Sequence, residues 1–203
     1  PSYSILPDAA YDNIVLHESD ISRIQAEHMD VLYFGTLIQR SPASRSAVAA
    51  VLESCSFPEV FCDLNLRPGC YGKDSVSLCL RNATILKISD EDERLLREFE
   101  LYSCISEEPE AIARAIAHRY GNLNIILLTC GSKGAYAYDC RTQESVFQNI
   151  VPAPVVSTVG AGDSFAAAWL AAYLNRAPLT LCMKKAAERS AFVVSRKEAV
   201  PEE

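Results

Sequence analysis

The residues best suited to do chemistry lie in the segment VSTVGAGDSFAAA, residues 156–168. Small residues at Gly160, Ala161 and Gly162 allow a ligand to approach the backbone closely, and the acid Asp163 follows directly. If a helix begins here, its unpaired N–H groups and the positive end of its dipole form an anion site. A base beside an anion site suits phosphoryl transfer to an alcohol, since that reaction depends mainly on stabilising the moving charge.

Spacing predicts the helix that would position this turn. Phe165, Trp169 and Tyr173 recur every fourth residue, and Asn175 and Pro178 mark its end. A second interpretation needs no chemistry, because Asp is a favoured N-cap and Gly is common in turns. On spacing alone, this capped-helix interpretation is favoured.

The eight residues TVGAGDSF resemble the signature of the PfkB (ribokinase-like) carbohydrate kinases, DTxGAGDxF. In that family the Gly-Ala-Gly amides form the anion hole for the transferred phosphoryl group, and the Asp activates the sugar hydroxyl. The resemblance therefore implies an anion hole at Gly160, Ala161 and Gly162. It implies that Asp163 is the catalytic base and also contacts the substrate.

Two departures from the family pattern concern a monovalent cation. The leading Asp of the signature is Ser157, and the Gly of the family segment SRxGAxP is Glu198 in SRKEAVP. Many members bind the cation there with backbone carbonyls and that Asp. We therefore expect weak or absent activation by potassium.

Two strand ends resemble further family segments. DLNLR resembles D-x-N-x-R and implies cofactor contact by Asn65 and substrate contact by Arg67, whose planar fork grips phosphate oxygens in pairs. LKISDED resembles LKxNxxE and implies that Lys87 and Ser89 contact the nucleotide. Asp92 would contact magnesium weakly, through water. A surface arginine and an acid-rich helix start are the alternatives that need no ligand.

The segment TCGSKGA resembles the nucleotide loop TxGxxGA of the same family. The resemblance implies cofactor binding by Thr129, Gly131, Ser132 and Gly134, with the backbone folded against ribose and phosphates. An ordinary turn between a strand and a hairpin is the alternative, and it is favoured if this segment is taken alone.

Apolar runs predict the strands that carry these residues: 31–37, 60–67, 83–89 and 125–130, with a hairpin over 135–150. Residues 13–16 are a further short strand in this prediction. Helices are predicted between the strands, one capped by Asp20 with Met29 turned inward and one capped by Asp90. This alternation predicts a mainly parallel, doubly wound α/β sheet covered on both faces. Ligands of such sheets bind beyond the carboxyl ends of the strands, where these polar residues would meet.

Composition sets the remaining bounds. The 203 residues suffice for one domain, and a net charge of −7 without a basic run argues against nucleic acid. No apolar run reaches membrane-span length. The eight cysteines include no C-x-x-C pair and are interpreted as reduced thiols of a cytoplasmic protein. The resemblance implies a single ribokinase-like domain over 1–203, without the N-terminal part and most of the lid, and with residues 1–19 as a lid remnant.

The leading hypothesis is an ATP-dependent sugar kinase, fructokinase-like, with Mg–ATP between the 131–134 loop and the C-terminal helices. Its partners are a small sugar and ATP, its cofactors are ATP and Mg²⁺, and a homodimer of the full-length protein is left open. The alternative is a non-catalytic sugar- or nucleotide-binding relative. A nicotinamide-binding oxidoreductase is rejected, because Phe165 stands where the G-x-G-x-x-G fingerprint needs Gly or Ala. The fragment alone is expected to be inactive, since a kinase must enclose its substrate.

Overall fold

Helices and short strands alternate along most of the chain, as the apolar runs predict. A computed structural model describes residues 5–201. The strands are β1 (Val31–Gly35), β2 (Glu59–Asp63), β3 (Ile85–Ser89), β4 (Ile125–Thr129), β5 (Ala135–Asp139) and β6 (Ser145–Gln148). The helices are α1 (Glu18–Ala26), α2 (Pro42–Ser54), α3 (Lys73–Asn82), α4 (Asp90–Glu98), α5 (Pro109–Arg119), α6 (Ala161–Leu174) and α7 (Leu179–Val194).

The six strands form one sheet in the order β1-β2-β3-β4-β5-β6. Strands β1 to β4 run parallel, so their carboxyl ends lie along one edge. Strands β5 and β6 form an antiparallel hairpin that continues the sheet from β4. The predicted mainly parallel sheet and the predicted hairpin are both confirmed. The register places Asp63 opposite Lys87 and Ser89 opposite Thr129.

Helices cover both faces of the sheet, which confirms the doubly wound arrangement. Alternate strand residues such as Leu86 and Ile126 pack in one core cluster with the apolar sides of α2, α3, α4 and α5. The residues that point the other way, such as Ile85 and Leu127, pack against α6 and α7 around the fully buried Trp169. The site residues lie at the edge between these two layers. No helix in the described part of the chain is long and apolar enough to cross a membrane.

The far end of α6 is attached to the sheet. The Tyr173 hydroxyl donates a 2.8 Å hydrogen bond to the Glu59 carboxylate at the start of β2. The Tyr173 ring stacks on Trp169, with centroids 4.9 Å apart. The fourth-residue spacing that predicted this helix therefore reflects one face that packs on the sheet from end to end.

Two strand predictions were too long or misplaced. β2 ends at Asp63 rather than at Arg67, because Asn65 takes a left-handed conformation with φ of 41° that cannot continue a strand. Residues 13–16 form no strand, and a short 3-10 turn, Ala10–Asp12, lies before them.

Two cap predictions were wrong by a few residues. α1 is capped by His17, and Asp20 lies at the third helical position, where its carboxylate accepts the His17 N–H at 3.0 Å. Met29 is 44% exposed rather than turned inward, since it lies beyond the helix end. α4 is capped by Ser89 rather than by Asp90.

An ion pair ties the first described residues to the sheet layer. Arg40 donates to both carboxylate oxygens of Asp12, at 2.6 and 2.5 Å, and to the Leu6 carbonyl at 2.5 Å. The Arg40 guanidinium lowers the pKa of the Asp12 carboxyl. The predicted lid remnant, residues 1–19, lies partly outside the described residues, and its role stays a prediction.

Candidate active site

The signature turn forms the first turn of α6. Gly160 is its N-cap with φ of 83°, a left-handed conformation that L side chains rarely adopt. A Cβ on Gly160 would also lie 2.7 Å from the Ala199 carbonyl oxygen. Asp163 is at the third helical position, and its side chain is exposed. The base that the resemblance implies is therefore open to solvent at the positive end of the helix.

A cavity of about 720 Å³ lies beside this turn, within the size range of small-molecule sites. One side is polar and comes from strand ends, the following loops and α6, and it contains seven predicted site residues: Ser89, Thr129, Gly131, Ser132, Gly134, Ala161 and Gly162. Three separate segments thus meet on this side of the cavity, at residue 89, at residues 129–134 and at residues 161–162. Such a wall offers hydroxyls and main-chain N–H groups to an anionic ligand.

Gly134 shapes the loop between β4 and β5. Its φ of 120° favours glycine, and a Cβ there would collide with the Gln148 backbone on β6. The loop can therefore fold tightly against the hairpin and leave room for a ligand. Thr129 is held nearby, with its hydroxyl 3.4 Å from the Ile88 carbonyl oxygen.

The opposite wall of the cavity is apolar, and sequence reasoning named none of its residues as site residues, although it placed Mg–ATP between the 131–134 loop and the C-terminal helices. It consists of Ile150, Val151, Pro152, Ala153 and Val155 from the segment before the signature, with Ala187, Ala191 and Val194 of α7. Val155 and Ile150 are exposed by 72% and 51%. Large apolar side chains this exposed at a cavity mouth are suited to a flat, weakly polar ligand group. The run IVPAPVV was the available signal, though it has no periodicity.

Lys87 is not in the cavity wall but lies beneath the signature turn. A Cβ built on Gly162 would be 3.6 Å from Lys87 Nζ. The ammonium donates to Asp63 Oδ2 at 2.7 Å and to Oδ1 at 2.9 Å, and both residues are buried. A positive charge therefore lies close to Gly162 in the signature turn.

Asp63 also accepts a hydrogen bond from the Tyr33 hydroxyl, 3.1 Å from Oδ2. Burial raises the pKa of the Asp63 carboxyl, while the Lys87 ammonium and the Tyr33 hydroxyl oppose that rise. Burial and the charge of Asp63 together raise the pKa of Tyr33 well above its usual value. Sequence reasoning counted Asp63 among the polar strand-end residues that face the crevice, without a role of its own, and it did not consider Tyr33.

The three remaining predicted site residues lie at the end of β2 and the start of α4. Asp92 is buried, and its two carboxylate oxygens accept the N–H groups of Leu66 and Ser89, at 2.9 and 2.8 Å. In this position it joins the start of α4 to the loop that carries Asn65 and Arg67. Asn65 and Arg67 are partly buried and lie outside the cavity wall found among residues 5–201.

Comparison with known proteins identifies the family. The model of the pfkB family of carbohydrate kinases matches residues 5–202. The chain belongs to this family.

Individual relatives are distant. A 5-dehydro-2-deoxygluconokinase of Geobacillus thermodenitrificans is 25% identical over 201 residues, covering 90% of this chain and 58% of the relative. The fructokinase of Vibrio cholerae, solved with fructose, ADP and calcium bound, is 22% identical with a TM-score of 0.72, over 91% of this chain and 60% of that one. A sugar kinase of Pyrococcus horikoshii, solved with ATP, is 24% identical with a TM-score of 0.74, over 98% and 62%. The chain spans less than two thirds of each relative.

Proposed function

We propose that this chain forms the phosphoryl-transfer part of an ATP-dependent carbohydrate kinase. Asp163 takes the proton of a primary sugar hydroxyl, and that oxygen attacks the γ-phosphoryl group of ATP in line. The amides of Gly160, Ala161 and Gly162 stabilise the transferred group. The observation that carries the proposal is the exposed Asp163 at the start of α6, with Ala161 and Gly162 on the wall of the neighbouring cavity.

The nucleotide would lie across this cavity. Its base and ribose fit the apolar wall at Ile150, Val155 and α7, and its phosphates would be directed toward Thr129, Gly131, Ser132, Gly134 and the signature turn. Lys87 and Ser89 would add a charge and a hydroxyl at the phosphate end. We assign Asn65 and Arg67 to the opening between the nucleotide and the sugar. In this orientation the phosphates would also face the unpaired N–H groups and the positive dipole end of α6.

Magnesium would arrive with the nucleotide. The described residues contain no cluster of three or more His, Cys, Asp or Glu side chains that could hold a metal by itself. Asp90 and Glu91 line the cavity, whereas both oxygens of Asp92 already accept backbone N–H groups. Mg²⁺ would therefore be held by phosphate oxygens and by water molecules that contact Asp90 and Glu91, in keeping with its preference for oxygen ligands and bound water. When bound, the ion neutralises phosphate charge.

The acceptor is proposed to be a small sugar of the fructokinase-substrate type. Names of relatives in the family include deoxygluconokinase, ribokinase and fructokinase.

A non-catalytic relative is the second candidate, favoured by one observation: Ser89 and Asp92, at the LKxNxxE positions, bind each other's backbone N–H groups. Phosphorylation of any member of a sugar panel would reject it. We also propose that residues 1–203 alone bind nucleotide but turn over sugar poorly, because water is not excluded.

The decisive experiment replaces the base in the full-length protein. Asp163→Asn is expected to lower turnover by a factor of about 10² to 10⁴ and to leave ATP affinity nearly unchanged. The matched control is Asp139→Asn, at the opposite end of the sheet, which is expected to keep full turnover. Unchanged turnover in the Asp163 variant would show that this carboxylate is not the base.

A further inference from the structure

A buried ion pair connects β2 and β3 directly behind the signature turn. Asp63 and Lys87 face each other in register and are 4% and 6% exposed. The ammonium contacts both carboxylate oxygens, and Tyr33 on β1 donates to one of them. Three neighbouring parallel strands therefore contribute one residue each to a single polar cluster in an otherwise apolar layer.

Stability alone is a poor explanation for this cluster. Removing two charges from water costs free energy, and well-packed apolar residues often serve as well or better than a buried pair. The cluster lies where a charge has a use: a Cβ on Gly162 would be 3.6 Å from the Lys87 ammonium. Strongly perturbed groups with defined charge partners concentrate at functional sites.

The geometry points to Asp63 as a positioning residue that, with Tyr33, holds the Lys87 ammonium beneath Gly162, where its charge acts on the transferred phosphoryl group. The inference rests on the proposed function. A lysine stem has four rotatable bonds, so an unheld ammonium would spread over many positions. Two hydrogen bonds to one buried carboxylate remove that freedom before the ligand arrives. Fixed charge of this kind needs no reorganisation during the reaction.

Lys87 also reduces the repulsion between two acids, Asp63 and Asp163. Burial is the main reason that the pKa of Asp63 is raised, and the charge of Asp163 adds a smaller contribution in the same direction. Lys87 lies against both Asp63 and Gly162, the residue before Asp163. Its charge offsets the repulsion between the two acids and the further repulsion from incoming phosphates. In this arrangement Asp63 acts on the ligand through Lys87.

A double-mutant cycle in this chain tests whether the effect of Asp63 depends on Lys87. The readout is the ratio of ATP affinity to ADP affinity, because only ATP carries the phosphoryl group to be transferred. Lys87→Met is expected to lower the ratio about tenfold, and Asp63→Asn to lower it several-fold in the presence of Lys87. In the Lys87→Met background, Asp63→Asn should change the ratio no further. Tyr33→Phe should produce a smaller change in the same direction.

A purely structural role gives a different pattern. It would weaken ATP and ADP binding equally and in both backgrounds, as would any general loss of folded protein. Asp139→Asn is the matched control, since it also removes a carboxylate paired with a cation, Arg141 at 3.2 Å, but at the opposite end of the sheet. If Asp63→Asn does not fold, Asp63→Glu and Tyr33→Phe are measured in its place. Because glutamate keeps the carboxylate, Asp63→Glu is expected to keep part of the wild-type ratio of ATP affinity to ADP affinity.

Two outcomes would overturn the inference while leaving the kinase proposal intact. One is an unchanged ratio in Asp63→Asn, and the other is an equal shift with and without Lys87. If the unsubstituted chain binds neither nucleotide, the proposed function itself fails and the inference fails with it. The wild-type titration therefore separates the two failures before any variant is measured.

Discussion

Gly160 lies directly against the carbonyl of Ala199, so that a Cβ at position 160 would come within 2.7 Å of that oxygen. The contact joins the signature turn to the C-terminal segment SRKEAV. The left-handed φ of Gly160 and this contact both require glycine. The anion site is therefore shaped by a segment that follows it by almost forty residues.

Gly160→Ala is expected to lower the free energy of unfolding by about 1–3 kcal/mol, because it combines a strained conformation with a backbone collision. Urea unfolding of the chain measures the change. Gly121→Ala is the control, since a Cβ there meets no heavy atom within 4 Å. Equal stability of the two variants would contradict the close contact with Ala199.

Asp92 is predicted to act as a structural connector rather than as a source of metal affinity. Asp92→Ala removes the acceptor for the Leu66 and Ser89 N–H groups and should cost about 1–3 kcal/mol of stability. The magnesium dependence of nucleotide binding should stay as in the wild type. Asp74→Ala, an exposed acid in the first turn of α3, serves as the comparison. A large shift in magnesium dependence with unchanged stability would instead support a metal role.

The Asp12–Arg40 pair predicts a pH-dependent stability. Since the guanidinium lowers the pKa of folded Asp12, the pair contributes stability above the unfolded pKa of about 4, and the contribution is lost as pH falls through the lowered folded value. Asp12→Asn should therefore lower the melting temperature at pH 7, and the gap to wild type should close in acid. Asp8→Asn, in the same segment, is the control. A gap that persists to pH 2 would argue that packing, not charge, sets the difference.

Potassium is predicted to have little effect on nucleotide binding. The Ser157 hydroxyl accepts the Val159 N–H at 3.3 Å, and no carboxylate stands at this position of the signature. The N–H groups of Val156 and Ser157 both donate to the Val194 carbonyl, so the loop is closed on α7 without an ion. ATP affinity measured in potassium and in sodium buffers of equal ionic strength should agree. A marked gain in potassium alone would refute the prediction.

The sheet, the hairpin and α6 could be predicted because their signals are local: continuous apolar runs, alternation, and the spacing of Phe165 and Trp169. The cap of α4 could not be placed, since Ser89 and Asp90 are adjacent and both are good caps. The end of β2 was missed because Asn65 takes a left-handed conformation that nothing in the neighbouring sequence indicates.

The cluster behind the turn shows a different limit. Asp63 and Lys87 are separated by 24 residues, and only the register of β2 on β3 brings them together. A one-residue shift would have turned one of them to the other face. The apolar wall from Ile150 to Val155 was also missed, because a proline-containing run without periodicity predicts a loop and not a surface.

The bond from Tyr173 to Glu59 gives α6 a second point of attachment, one full helix length from the chemistry. Fourteen residues of helix form a rod about 21 Å long. At its front end the rod carries the Gly162 amide and the Asp163 carboxylate, and at its rear end it is fastened to the opposite border of the sheet. Because a helix moves as a rigid rod, a small tilt at Tyr173 would change the direction of the Gly162 amide and the Asp163 carboxylate. The bond from the Tyr173 hydroxyl to Glu59 therefore helps to fix the alignment of these groups from a distance.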